Sequence, residues 1–423
     1  MAKVIRRPWE SEQQSGLARR DRQSCHYDVY IPDRILGRAI GLDGPVAADV
    51  AEAERAVTKL NMEARALSDS EALARLLLRS ESVASSKIEG LEIGARRLLR
   101  AEAARTLGEE SRDVTANDVL GNIDAMVHAL GSLAEGEAIT VNHLLEAHRR
   151  LLAGSRLEEH GGRLRTQQNW IGGSSFNPCA AVYIPPPWEL LEDYLSDLVD
   201  FCNEDCLPAV AQAAVAHAQF ETIHPFIDGN GRTGRVLIHM VLRRRGLVPR
   251  VLPPVSLVLA TWGTDYVASL TSTRYLGSPD SPEAHTGLNR WIGFFAAACR
   301  RSVGDATAFE ECVAIIEQTW RTRLGRVRAN SALDLLLRAL PGAPILTVQS
   351  AAALIGRSVP AANGAVARLA EAKVLSQLNV GKRNRAFEAP QLIRAFADLE
   401  RRLASPTGDT RVTPPARRVP RRL

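Results

Sequence analysis

Residues His224–Arg235 read HPFIDGNGRTGR, and almost nothing in them can build a core. Gly229, Asn230 and Gly231 precede TGRVLIHMVLRRRG, whose apolar period of about 3.6 residues predicts a helix from near Thr233 to Gly246. Glycines let the backbone take left-handed angles and approach a ligand closely. The first turn of the helix presents free N–H groups and a partial positive charge, which together favour an anion. Arg232 and Arg235 lie in or beside that turn, where the dipole disfavours cations by a few tenths of a kcal/mol or more. An anion offsets that cost, and polyphosphate is a natural candidate. Asp228 inside such a cradle repels phosphate unless a hard cation lies between them, which implies Mg²⁺. His224 is the side chain here that can take a proton near neutral pH. The residues therefore suggest Mg²⁺-nucleotide binding beside a His base; the bland alternative is a Gly-rich loop with a capping Asp and a core His.

Working outward, residues 1–45 are polar and irregular apart from a strand-like YDVYIP at Tyr27–Pro32. Helical periodicity begins near Val46. A second helix, at about 68–90, opens at SDSEALARLLL, where Ser68 or Ser70 is the expected cap. Leu73, Leu76, Leu77, Val83 and Ala84 give it an apolar stripe, and Gly90 is its expected stop. Further helices are expected at 115–132, 140–153, 188–203, 208–223 and 288–303. Between Gly161 and Pro187, Gly-Gly, Asn-Pro and a triple Pro punctuate NWIG and AVYIP, a pattern that reads as a hairpin. The segment ILTVQSAAALIGRSVPAANGAVARLAEAKVLSQLNVGKRNRAFEA reads as helix, Gly turn, helix and two strands about Gly381, the order of a winged helix-turn-helix. The domain division expected is 1–109, 110–305, 306–340 (connecting helices), 341–400 (winged helix) and 401–423.

The chain has 423 residues, net charge +5 and 24% charged residues, values of an ordinary globular protein and too mild to establish a nucleic-acid partner. From Arg401 onward there are seven Arg and a single acid, Asp409, so this end is expected to be a basic disordered tail. Six cysteines, at 25, 179, 202, 206, 299 and 312, lack paired metal spacing and read as reduced thiols. No signal-like or membrane-length apolar run occurs, so no membrane span and a cytoplasmic location are expected.

HPFIDGNGRTGR resembles the signature HxFx(D/E)GNGRxxR of the Fic (filamentation induced by cyclic AMP) family, with every specified position present. The resemblance extends over roughly 110–300. It implies a mainly α fold: a Fic-type helical bundle with a short β-hairpin flap, followed here by the C-terminal winged helix. It also implies transfer of AMP from Mg-ATP to a Tyr, Thr or Ser hydroxyl of a protein. On that likeness His224 is the general base and Asp228 the Mg²⁺ ligand. Gly229, Asn230, Gly231 and Arg232 form the phosphate cradle, and Arg235 orients the terminal phosphate.

Ser85-Ser86-Lys87-Ile88-Glu89-Gly90 places Ser85 and Glu89 on one helix face, with Glu89 at the unfavourable negative end of the dipole. It resembles the family's inhibitory motif (S/T)xxxE(G/N). By that likeness Glu89 pairs with Arg235 and keeps it from the γ-phosphate. In some relatives the same Glu serves removal of AMP, and that alternative stays open. The hairpin Asn169–Ile184 resembles the flap that holds a target protein by strand addition. In the winged helix, Pro360–Ala372 is the expected recognition helix, with Asn363 and Arg368 able to read bases. Lys382, Arg383 and Arg385 form a basic turn, so DNA and protein contacts are equally open. Self-modification and a homodimer also stay open. The competing class is a DNA-binding regulator or adaptor whose Fic fold is catalytically idle.

Overall fold

The computed structural model describes residues 1–11, 18–66, 70–106, 113–380 and 384–403. The expected cap Ser68, the turn at Gly381 with Lys382 and Arg383, and the tail from residue 404 lie outside the described residues. Two strands come first, β1 (Lys3–Trp9) and β2 (Cys25–Ile31). Helices α1 (Gly44–Ala66), α2 (Ser70–Ile88), α3 (Ala95–Thr106), α4 (Val114–Gly131) and α5 (Val141–Leu152) follow. Next are α6 (Leu191–Asn203), α7 (Ala209–Ile223), α8 (Asn230–Arg244), α9 (Val255–Thr261), α10 (Gly263–Thr271) and α11 (Pro282–Leu324). The C-terminal part holds α12 (Ala332–Ala339), β3 (Ile345–Thr347), α13 (Val348–Ile355), α14 (Val359–Glu371), β4 (Ser376–Val380), β5 (Asn384–Glu388) and α15 (Pro390–Leu403). The fold is mainly α, as expected.

Two interleaved units divide the chain. The first comprises 1–54, 128–247 and 264–297. Its centre is α7, AVAQAAVAHAQFETI, buried at every position. A helix surrounded on all sides needs small residues to admit its neighbours, and alanine supplies them without loss of helix propensity. Helix α8 comes closest at Gly234, where an added Cβ would lie 2.7 Å from Glu221 Oε1 and 3.0 Å from Phe220 Cδ1. Helix α5 turns Leu144, Ala147, His148, Leu151 and Leu152 inward, the spacing of one apolar face. Strands β1 and β2 pair antiparallel from Lys3↔Ile31 to Trp9↔Cys25. Strand β1 was not anticipated, because KVIRRPW carries three cations and a proline and lacks an apolar alternation; it is half-exposed, where such residues are tolerated.

The second unit comprises 55–127, 248–263 and 298–423, its described residues only. Helix α2 is buried along Ser80–Ser86, polar residues included. Glu81 is nearly inaccessible and accepts from the backbone N–H and hydroxyl of Ser256 in the first turn of α9. Asn122 of α4 donates to the Ser82 carbonyl (2.8 Å) and the Ser86 hydroxyl (3.1 Å). Leu91 N–H donates to Ser86 C=O and Gly90 N–H to Lys87 C=O, with Gly90 at φ +80°. This left-handed closure stops α2 where the sequence places it. Helices α13 and α14, joined through left-handed Gly356, pack on α12 about Leu336, Leu337, Val366 and Leu369. Strands β3, β4 and β5 form one sheet in the order β3-β5-β4. Asn363 and Arg368 are exposed on α14.

Three expectations need correction here. Helix α11 runs unbroken from Pro282 to Leu324 and absorbs both the helix expected at 288–303 and much of the connecting segment. Nothing between residues 304 and 324 breaks a helix, so the division drawn at 305 has no local cause. Residues 401–403 belong to α15 and not to a disordered tail; the Arg pair lies at the end of an amphipathic helix whose Phe396 and Leu399 are buried. The hairpin at 169–184 contains a single bridge, Ile171↔Tyr183, since Gly172, Gly173 and Pro178 leave no room for a ladder.

Candidate active site

Everything in this site lies in the first unit. Helix α7 ends at His224, held left-handed at φ 50° with its N–H on the Phe220 carbonyl. Five residues later Gly229, at φ 75°, caps α8, which begins at Asn230 and not near Thr233. The glycine cap lets the helix start three residues earlier than an apolar periodicity can show. The backbone N–H groups of Asn230, Gly231 and Arg232 thus belong to the open first turn. Arg235 falls in the second turn, and Arg232 and Arg235 are both buried.

The loop is fixed by its own side chains. Asn230 Oδ1 accepts from Phe226 N–H (2.8 Å) and its Nδ2 donates to Phe226 C=O (2.8 Å). Its amide is therefore engaged with backbone, and what Asn230 offers an anion is its own N–H. Phe226 is fully buried and stacks on His148, with ring centroids 3.7 Å apart. His148 Nδ1 accepts from Gly162 N–H (3.0 Å), which places the ring hydrogen on Nε2, 3.0 Å from the Asp228 carbonyl. Burial, then the nearby Arg232 charge, lowers the His148 pKa to about 4, so the ring is neutral. Asp228 Oδ1 accepts from Gly229 N–H (2.7 Å) and Oδ2 lies 4.0 Å from Arg232 Nη2. The carboxylate itself is more than half exposed.

Two further groups hold His224. Arg165 is buried; it donates to the carbonyls of His224 (2.9 Å) and Gln167 (3.1 Å) and to that of Pro186. Burial pulls its pKa down to about 10. Asn169, in the flap, directs Nδ2 at the Phe226 carbonyl (3.0 Å) and lies 3.0 Å from His224 Nδ1 with the same nitrogen. A donor at Nδ1 places the ring hydrogen on Nε2. Burial first, and then the charges of Arg165 and Arg274, lower the His224 pKa to about 3, so this ring too is neutral at pH 7. The flap is anchored below by Tyr183, whose hydroxyl donates to Thr222 C=O (2.7 Å) and whose ring lies 3.5 Å under the Arg274 guanidinium.

The structure thus brings His224, Asp228, Gly229, Asn230, Gly231, Arg232 and Arg235 into one loop and helix start. Ser85, Glu89 and Gly90 sit at the end of α2 in the second unit, with Ser85 buried and Glu89 exposed. Sequence reasoning missed His148, Arg165 and Asn169. His148 falls on the apolar face of α5, where a lone His reads as core, and nothing local distinguishes the other two. It also took all six cysteines as reduced, whereas Cys25 and Cys179 are disulfide-bonded. They are 154 residues apart in sequence, and only the docking of β2 beside the flap brings them together. Among the described residues no group of three His, Cys, Asp or Glu could hold a metal by itself. A single carboxylate beside a phosphate cradle nevertheless suits Mg²⁺, which commonly takes one or two carboxylates and completes its shell with phosphate and water.

Residues 138–242 match the profile of the Fic/DOC family, and residues 47–131 match that of the Fic/DOC family N-terminal region. The chain carries a Fic domain. It is 32% identical over 232 residues to the protein adenylyltransferase fic-1 of Caenorhabditis briggsae, covering 53% of this chain and 42% of that protein. It is 36% identical over 140 residues to the protein adenylyltransferase Fic of Drosophila willistoni, covering 32% and 26%. The chain therefore spans less than half the length of these relatives. A Fic family protein from Desulfovibrio desulfuricans has the same fold, with TM-score 0.51 at 21% identity over 82% of this chain and 97% of the other. No helix among the described residues is long and apolar enough to cross a membrane.

Proposed function

We propose that the Fic domain is a protein adenylyltransferase, transferring AMP from Mg-ATP to a Tyr, Thr or Ser hydroxyl of a protein. The observation that carries this is the half-buried neutral imidazole of His224, six residues before the open start of α8, with Asp228 between them and two buried arginines on the helix. His224 takes the hydroxyl proton; the oxygen attacks the α-phosphorus in line as the bond to the β-phosphate oxygen breaks and pyrophosphate leaves. The N–H groups of α8, with Arg232 and Arg235, hold the phosphates where charge develops. Bound Mg²⁺, which Asp228 would hold, supplies neutralisation of that charge. The relatives named as protein adenylyltransferases support the same reaction. The flap residues Ile171 and Val182, both exposed, suit an extended target segment added to that edge.

Glu89 is the proposed brake, acting on Arg235 as its motif suggests, and the chain itself is a convenient first acceptor. The test is incubation with Mg²⁺ and ATP labelled on the α- or the γ-phosphate, read by intact mass. Glu89→Gly is expected to raise α-label incorporation and His224→Ala, added to it, to abolish it. No covalent change in the Glu89→Gly protein would exclude the assignment. Exposure of Asn363 and Arg368 on α14 favours a second, compatible role for the C-terminal module in contacting DNA or protein, tested by salt-dependent gel shift.

A further inference from the structure

The flap is tied to the N-terminal hairpin at both its ends. Trp170, one residue beyond Asn169, packs edge-on against Trp9 of β1 at 5.5 Å. Ser174 donates to Asp21 (2.6 Å) and the buried Asn177 donates to the Arg20 carbonyl (2.9 Å). Asn177 Oδ1 also receives the N–H of Cys179, which orients that residue towards β2. There Cys179 is bonded to Cys25, with Cα atoms 5.8 Å apart. Cys25 is the last paired residue of the hairpin, opposite Trp9. Both cysteines are half-buried and within reach of a reagent, whereas Cys202 and Cys299 are fully buried.

We propose that Cys25–Cys179 is a thiol–disulfide exchange site for a dithiol reductant, and that its redox state sets how firmly the flap is held over His224. One thiolate of the dithiol attacks a sulfur of the pair, the Cys25–Cys179 bond breaks, and a mixed disulfide forms. The second thiol then displaces the other protein sulfur. The products are two protein thiols and the cyclic disulfide of the reagent, which supplies both electrons and both protons. Between Ile171 and Val182 the remaining ties are the two hydrogen bonds, each individually weak. The Trp170–Trp9 contact and, at the far end, the Tyr30 N–H on the Ile184 carbonyl with the Tyr30 ring beside Tyr183 hold only the flanks. Opening the covalent tie frees the segment from Ile171 to Val182, while Asn169 stays on the Phe226 carbonyl. The functional consequence rests on the flap being the edge that receives the target; the structural claim does not.

The test uses the full chain purified without reductant and then treated with dithiothreitol. Peptide mapping after alkylation should show Cys25 and Cys179 becoming modified while Cys202 and Cys299 stay protected. Amide exchange within 171–182 should rise about tenfold or more on reduction, with α8 unchanged. The Cys25→Ser/Cys179→Ser variant should show the fast exchange with or without dithiothreitol. Where adenylyl transfer is measured, reduction should raise KM for the protein target and leave that for ATP. Equal flap exchange in the two states, a pair that opens only when the whole chain unfolds, or no disulfide after air oxidation would each overturn the proposal. Absent transfer with a redox-dependent flap would instead overturn the enzymatic assignment alone.

Discussion

His148→Gln probes the support beneath the signature loop. The imidazole accepts from Gly162, donates to Asp228 C=O and stacks on Phe226, with its own ring fully buried. Glutamine can keep one of these hydrogen bonds; the other partner is left unmet at about 1–3 kcal/mol, and the lost stack adds about 1 kcal/mol. The pH dependence is the sharper readout. His148 has a folded pKa of about 4, against about 6.5 when unfolded. The unfolded chain therefore binds the extra proton, and stability is lost as pH falls from about 6.5 towards 4. From pH 7 to pH 5 this residue removes about 2 kcal/mol, rising to about 3 below pH 4. Urea unfolding followed through the fluorescence of Trp291, buried in the same unit, gives the stability at each pH. The variant should be less stable at pH 7 and lose about 2 kcal/mol less than the parent between pH 7 and pH 5. An identical acid loss in both proteins would refute the claim that a neutral His148 supports the loop.

Gly234→Ala places a methyl 2.7 Å from Glu221 Oε1 and 3.0 Å from Phe220 Cδ1. It should cost about 1–3 kcal/mol in the same assay, and an unchanged midpoint would show that α7 and α8 can separate freely. Gly229→Ala meets both the left-handed backbone and Leu151 Cδ2 at 2.8 Å, so ATP protection against thermal unfolding should weaken markedly; full protection would show that the cap geometry is dispensable. Arg165→Met keeps much of the stem but strips the His224 carbonyl of its donor. Transfer should fall about tenfold or more while ATP binding is retained, and equal losses in both would point to general unfolding.

Much of this was legible in the sequence, for a definite reason. Gly229, Asn230, Gly231 and Arg232 state a local backbone geometry, and local geometry is what adjacent residues can specify. The stop of α2 at Gly90 was readable for the same cause, a left-handed residue after an apolar stripe. Long-range pairings were not. Glu81 capping α9, Arg165 under the His224 carbonyl and Cys25 against Cys179 each join segments that only the packed fold brings together. Strand β1 escaped because pairing, not its own pattern, makes KVIRRPW extended. Asn230 shows a finer limit. Motif likeness assigned it to the phosphate cradle, yet its side chain clamps Phe226, so what the side chain does is shape the loop.

The same distinction bears on how His224 could serve as the proposed base. Asn169 Nδ2 points at Phe226 C=O and also at His224 Nδ1, an arrangement that leaves Nδ1 bare and puts the ring hydrogen on Nε2. That tautomer cannot receive a proton at Nε2. Asn169 Oδ1, meanwhile, is buried without a hydrogen-bond partner among the described residues. Turning the amide over gives Oδ1 the Nδ1 hydrogen and frees the Nε2 lone pair, at the expense of the Phe226 carbonyl, about 1–3 kcal/mol. On the proposed mechanism Asn169 is a positioning residue, and its two orientations would correspond to an idle and an active imidazole. Asn169→Asp presents only acceptors and should hold the active tautomer, also raising the His224 pKa from about 3 by the added negative charge. Nitrogen-15 shifts of the His224 ring should place the hydrogen on Nε2 in the parent and on Nδ1 in the variant. The same tautomer in both proteins would show that the flap amide does not govern the base.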